Sequence, residues 1–261
     1  MTLQNRVSKR ALIGAVSLLA TPALALGRTA CLSDALGTHR VMKIDLSGGL
    51  RVGRKSFAQT LDLAPREVVL TFDDGPHPGP TDHVLDALAR ECVRATFFLI
   101  GRMAQGAPAL ARRTLAEGHT VAHHSMTHPM TLADLPLPRA LADIEAGFSA
   151  VDHALYGQYA GAPRTPFFRF PGFGSSVPLL DHLAGRGIGV FGCDFWVSDW
   201  NDMTPEHQLA LTLRRLEQTG GGIILFHDPR PQTAAMIPAF LRELKRRAYK
   251  VVHMEPARGA A

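Results

Sequence analysis

Thr71-Phe-Asp-Asp-Gly-Pro76 closes the apolar, β-branched run that starts at Val68, and its reading sets the architecture of the whole chain. A run of four or five apolar residues stopped by an Asp-Asp-Gly-Pro turn is a short, fully buried strand. The carboxylates of Asp73 and Asp74 then stand where the strand emerges from the core. Downstream the same grammar repeats. Thr81 caps a helix through Arg90 with Val84, Leu85 and Leu88 on one face, and Thr96 to Ile100 is a second strand, stopped by Gly101. Helix is expected over 108–117, 138–156, 178–184, 205–219 and 234–247. Strand is expected over 120–122, 167–170, 188–191, 223–226 and 251–253, with a Gly/Pro-rich linker over 157–166. Alternation of this kind predicts one α/β domain with a mostly parallel sheet, open or closed as a barrel.

The 261 residues are enough for one sizeable core, and 46% hydrophobic with 20% charged residues is ordinary for a globular protein. The net charge of +5 is spread out, and no basic stripe interleaves with aromatics, which argues against a nucleic-acid partner. Arg6, Lys9 and Arg10 precede the apolar run 11–20, and small residues follow at Ala23 and Ala25. This is the pattern of a signal peptide over 1–25, with export to the periplasm or medium and no stable membrane span in the mature protein. Residues 26–65 read as an irregular lead-in. Cys31, Cys92 and Cys193 are too few and too odd in number for a disulfide framework, so no disulfide is expected. Cys92 and Cys193 read as small core residues.

The chemistry lies where polar residues follow strand ends. Asp73-Asp74, Arg169, Asp194 and His227-Asp228 each come directly after an apolar strand, and in a parallel α/β sheet those ends share one rim. Adjacent carboxylates repel, so the pair needs separate roles or a cation. His124 and His128 are four apart, and one helical turn would put both imidazoles on one face. Two histidines with a carboxylate suit a divalent metal with open positions for water. His119 and His123 crowd the same segment, so spacing alone does not choose the pair.

Five motifs occur in order: TFDDGP at 71–76, HSMTH at 124–128, FFRFPG at 167–172, SDW at 198–200 and IILFHD at 223–228. Together they resemble the motif series of the polysaccharide deacetylases, the NodB-homology carbohydrate esterases. The resemblance implies a catalytic domain over 66–255, folded as a distorted, incomplete (β/α)7-type barrel. It implies that Asp74, His124 and His128 bind a divalent metal, commonly zinc, with Co2+, Ni2+ and Mn2+ as alternatives. Asp73 would be the general base and His227 the general acid, with Arg169 orienting Asp73 and Asp199 tuning His227. Trp200 and Leu225 would wall a slot for the acetyl methyl group. The implied partner is an acetylated polysaccharide or amino-sugar oligomer.

The chain departs from the pattern twice. The family's usual tyrosine after the arginine falls on Gly172 or Phe173, so only backbone donors remain there. Trp196 stands where the fourth motif often carries another Asp, and Asp194 has no assigned role. A same-fold hydrolase of small amides or cyclic imides, and an inactive carbohydrate-binding protein, are the competing functions. The sequence leaves the glycan and the oligomeric state open.

Overall fold

Strand parity explains both the core and the site of this protein. The computed structural model describes Cys31 and residues 34–257, so the expected signal peptide lies outside the described residues. Ten strands lie in one sheet: β1 (Thr38–Ile44), β2 (Arg51–Val52), β3 (Glu67–Asp73), β4 (Thr96–Leu99), β5 (Thr120–His123), β6 (Phe167–Phe168), β7 (Gly189–Phe191), β8 (Phe195–Trp196), β9 (Gly222–His227) and β10 (Lys250–Pro256). Seven α-helices accompany them: α1 (Pro80–Arg90), α2 (Gly101–Gly106), α3 (Pro108–Ala116), α4 (Leu137–Tyr156), α5 (Val177–Gly185), α6 (Pro205–Thr219) and α7 (Pro231–Arg246).

Every strand pair is parallel. The sheet runs β1-β10-β3-β4-β5-β6-β7-β2, and β9 pairs with β3 on one side and β8 on the other. A parallel sheet must be covered on both faces, which is why its strands read as unbroken apolar runs. Alternate residues divide between two cores. Leu70, Phe72, Phe97, Val121, Ile224 and Phe226 pack with Leu85, Leu88 and the inner faces of α1 and α7. Val69, Phe98, Ala122, Phe167, Phe191, Ile223 and Leu225 form a second core on the opposite face of the strands. Burying each such side chain contributes roughly 1.5–3 kcal/mol against exposure.

The alternating α/β order expected from the sequence is present, apart from the unexpected two-residue strand β8 and three further differences. The segment expected to be an irregular lead-in contains β1, whose register runs alongside β10 from Thr38↔Val251 to Ile44↔Pro256, and the two-residue β2. Its glycines suggested coil, but a long-range partner supplies the ladder that local sequence does not. Gly101 does not simply stop a strand; it opens the short helix α2. The third difference concerns cysteine: Cys31 and Cys92 form a disulfide, against the expectation of none, and Cys92 is therefore not a free core residue. Cys193 alone matches that expectation, free and buried. Cys31 and Cys92 lie 61 residues apart, so their pairing was invisible in the sequence.

Candidate active site

Asp73, Leu225 and His227 have the parity of the second core, so they lie along that face as β3 and β9 reach the rim. The two strands are in register there, Asp73 opposite His227. Beyond β5, the backbone continues the ladder without regular strand: His124 N–H donates to Leu99 O at 2.9 Å, and Arg169 N–H donates to His123 O at 3.0 Å.

Arg169 is fully buried. Its guanidinium donates to Asp73 Oδ1 at 2.7 Å, Thr71 Oγ1 at 2.9 Å, Phe191 O at 3.0 Å and Gly192 O at 2.7 Å, and it lies over the Phe98 ring. With four acceptors it has no rotational freedom, and Asp73 is held with it. Burial raises the Asp73 carboxyl above its ordinary value, while the Arg169 charge and hydrogen bond oppose the rise.

Asp74 follows with φ of 76°, which turns its side chain away from the strand's alternation. One donor atom each from Asp74, His124 and His128 lie within 4.8 Å of one another. His128 Nε2 is 3.2 Å from Asp74 Oδ1 and His124 Nε2 is 3.6 Å from it. His124 Nδ1 is held at 2.7 Å by Arg169 O, which fixes the ring and leaves Nε2 as the atom facing the carboxylates. Burial presses His124 down to about 3, so the ring stays neutral, the form that ligates.

The two histidines do not share a helix, contrary to the expected helical turn. Residues 124–128 form a loop with left-handed backbone at Ser125 (φ 62°) and His128 (φ 58°). Asp143 of α4 pins it, accepting the Met126 N–H at 3.0 Å and the Thr127 hydroxyl at 2.6 Å, while Ser125 Oγ accepts the His128 N–H at 3.1 Å. A Cβ at Gly147 would lie 2.5 Å from the Ser125 carbonyl carbon, so α4 approaches this closely only because residue 147 is glycine. Asp143 and Gly147 escaped the sequence reading because neither borders a strand end.

His227 closes the other side. Its Nδ1 lies 2.7 Å from Asp199 Oδ1, and its backbone N–H donates to Asp199 Oδ2 at 2.7 Å. Thr233 Oγ1 also donates to that Oδ2, at 2.7 Å. Burial disfavours the imidazolium, but the Asp199 hydrogen bond and charge, with Asp74 and Asp73 adding to them, outweigh it and raise His227 to about 9. Trp200, 44% exposed, stands edge-on to the His227 ring, and Leu225 lies buried below. Asp228 faces elsewhere, bonded to the Thr81 hydroxyl behind the Asp-Asp-Gly turn, where a Cβ on Gly75 would meet it at 2.0 Å. Burial raises Asp228 to about 7, so it serves the turn as a hydrogen-bonded group away from solvent. Thr81 and Asp228 are thus a support that the sequence named only as a cap and a strand end.

Gly172 and Phe173 occupy a tight turn after Arg169, both with positive φ. Phe173 N–H is spent on Phe170 O at 3.0 Å and Gly174 N–H on Pro171 O at 3.4 Å. Gly172 N–H alone of the three has no internal acceptor among the described residues. Asp194, unassigned from the sequence, is a brace: it accepts from Arg54 N–H at 3.0 Å, the Thr60 hydroxyl at 2.8 Å and Ile223 N–H at 2.7 Å.

The chain is similar in sequence and fold to known proteins. The polysaccharide deacetylase family model matches residues 61–185. A chitooligosaccharide deacetylase of Rhizobium leguminosarum bv. phaseoli is 46% identical over 164 residues, 62% of this chain and 68% of that protein. The chain belongs to the polysaccharide deacetylase family. Another deacetylase of the family, the peptidoglycan-N-acetylglucosamine deacetylase of Listeria monocytogenes, is 30% identical over 195 residues; they are 74% of this chain but only 39% of the Listeria protein's length. Among solved structures, a Bdellovibrio bacteriovorus peptidoglycan deacetylase superposes with a TM-score of 0.74 at 36% identity, covering 85% of this chain and 60% of that one. The Bdellovibrio deacetylase thus shares the α/β arrangement described above.

Proposed function

We propose that this family member is a metal-dependent hydrolase that removes acetyl groups from an acetylated amino-sugar polysaccharide. The observation that carries the reading is one rim holding a three-donor cluster, a buried Asp-Arg pair and a His-Asp pair within touching distance. The donor chemistry fits a divalent cation: two imidazoles, a carboxylate, and a buried Asp74 Oδ1 that makes no hydrogen bond among the described residues. Asp74, His124 and His128 would hold it, zinc being the expected ion. Three protein donors leave coordination positions open, as catalytic rather than structural zinc sites do. When bound there, such an ion supplies Lewis acidity to water and to the acetyl carbonyl.

The protein's own residues do the rest. Asp73, fixed by Arg169, accepts the water's proton. His227, charged at neutral pH because of Asp199, donates a proton to the departing sugar nitrogen, which would otherwise leave as a strongly basic anion. Gly172 N–H is the available backbone donor toward developing negative charge, while Trp200 and Leu225 bound the methyl group. Relatives of the family named above act on chitooligosaccharide and peptidoglycan, which supports a glycan substrate over a small amide. The Cys31–Cys92 disulfide favours an oxidising compartment and so supports export.

Purified protein incubated with N-acetylglucosamine oligomers and Zn2+ should release acetate, and chelation should stop it. No release from these oligomers or from peptidoglycan under any of the four candidate metals would overturn the reading.

A further inference from the structure

Alongside β8, towards the end of the sheet where β8 and β9 begin, lies a cavity of about 270 Å³ lined by Lys55, Asp194, Trp196, Arg215, Gln218 and Thr219. A second cavity of about 520 Å³ adjoins it, sharing Asp194, Gln218 and Thr219 and adding Arg54 and Glu67. The charges lining the pair are unbalanced. Both carboxylates are spent internally: Asp194 on the three donors of its brace, and Glu67 on Arg40 at 2.7 and 2.8 Å. The side chains of Arg54, Lys55 and Arg215 have no carboxylate partner among the described residues. Arg215 donates only to neutral oxygens, Trp196 O at 2.6 Å and Ser198 Oγ at 2.7 Å, although it is half-buried. Burial and the neighbouring Arg214 both work against its charge, a cost that an incoming anion would offset.

The cavity also has an aromatic wall, Trp196. Lys55 Nζ stands 4.7 Å over the Trp196 ring, and Phe173 stacks on Trp196 with centroids 6.2 Å apart. Trp196 meets Trp200 edge-on at 5.9 Å, and Trp200 meets His227 at 5.8 Å. Two indoles in successive edge-on contact therefore connect the His227 imidazole to the cationic cavity.

We propose that the Trp196 cavity is a subsite for a carboxylate-bearing sugar of the polymer, with the ring packed on Trp196 and the carboxylate received by Lys55 and Arg215. It rests on the glycan reading above and narrows it: the preferred polymer is acidic, with its anionic unit near the acetylated one.

The test uses ligands with no acetyl group to lose. Cellotetraose and cellotetraose oxidised to glucuronate at one terminal sugar are titrated against the full chain at low salt. Binding is read from the fluorescence of its two tryptophans, Trp196 and Trp200. The acidic ligand should bind about fivefold or more tightly than the neutral one, the order expected for a partly exposed charge pair. Lys55→Gln should bring that ratio toward one, whereas Lys245→Gln, the same charge change on the exposed end of α7, should preserve it. Equal affinities in the unsubstituted protein, or equal loss in both variants, would overturn the subsite. Acetate release from N-acetylglucosamine oligomers is measured separately, so failure of the catalytic reading would show there and not in the binding ratio.

Discussion

Four histidines lie between residues 119 and 128, and the fold sends them to two different places. His119 and His123 face the helices. His119 Nδ1 accepts the Ala95 N–H at 3.1 Å, and His123 packs edge-on to Phe148. His124 and His128 reach the rim with Asp74. All of His119, His123 and His124 are buried, and burial lowers each to about 3. What separates them is direction. Successive residues of a strand point to opposite faces, so one position in sequence moves an imidazole from helix packing to the side that carries Asp73 and His227. Burial and a depressed pKa therefore do not distinguish His124 from His119 and His123, whereas the side of the sheet that each faces does.

That contrast yields graded tests. The largest effects belong to the rim beyond the ligands. Asp73→Asn and His227→Ala should each reduce acetate release by about 10²–10⁴-fold with metal content intact. Near-unchanged rates in either would remove that residue from proton transfer. His124→Ala should lose stoichiometric metal, measured by elemental analysis after dialysis, while His123→Phe should retain it. If His123→Phe loses the metal and His124→Ala does not, the parity argument fails.

Arg169→Met should leave Asp73 buried without its partner and cost about 3–5 kcal/mol in denaturant unfolding. A variant as stable as the parent would mean that the pair is not sealed from water.

A subtler effect concerns pH. As the proposed acid, His227 carries its proton below its pKa of about 9 and loses it above, so activity should fall on the alkaline side. Asp199→Asn removes the charge that holds His227 up, so the alkaline limb should move to lower pH, by about one unit or more. A limb that stays in place would separate it from His227.

The smallest effect is expected where the comparison began. Among the described residues the two ring nitrogens of His123 make no well-formed hydrogen bond, the Thr165 backbone being the polar group in reach. An apolar ring of similar shape should be nearly neutral there, with His123→Phe changing stability by under about 1.5 kcal/mol.

Most of the architecture was legible because its strands are local and strongly apolar. β3 and β9 run one residue past their expected ranges at each end, and β4 stops one residue short of its own. β1 and the Cys31–Cys92 bond were not legible, since each depends on a partner far along the chain. At the site, the strand-end residues Asp73, Asp74, Arg169 and His227 stood out from their positions alone. The helical turn expected for His124 and His128 was wrong because Asp143, Ser125 and Gly147 impose a loop whose left-handed residues have no local signal. Asp194 turned from an unexplained charge into a brace once Thr60 and Ile223 were seen around it.

The sequence by itself determined the alternation of strands and helices, and the set of polar residues that a parallel sheet must deliver to one rim. Those follow from hydrophobic period and turn chemistry, which act over a few residues. Only the tertiary structure decided which histidines meet Asp74, that Arg169 is locked on four acceptors, and that Lys55 comes to lie over Trp196. Such distances are set by the convergence of segments up to about a hundred and forty residues apart, and no local pattern encodes where two such segments meet.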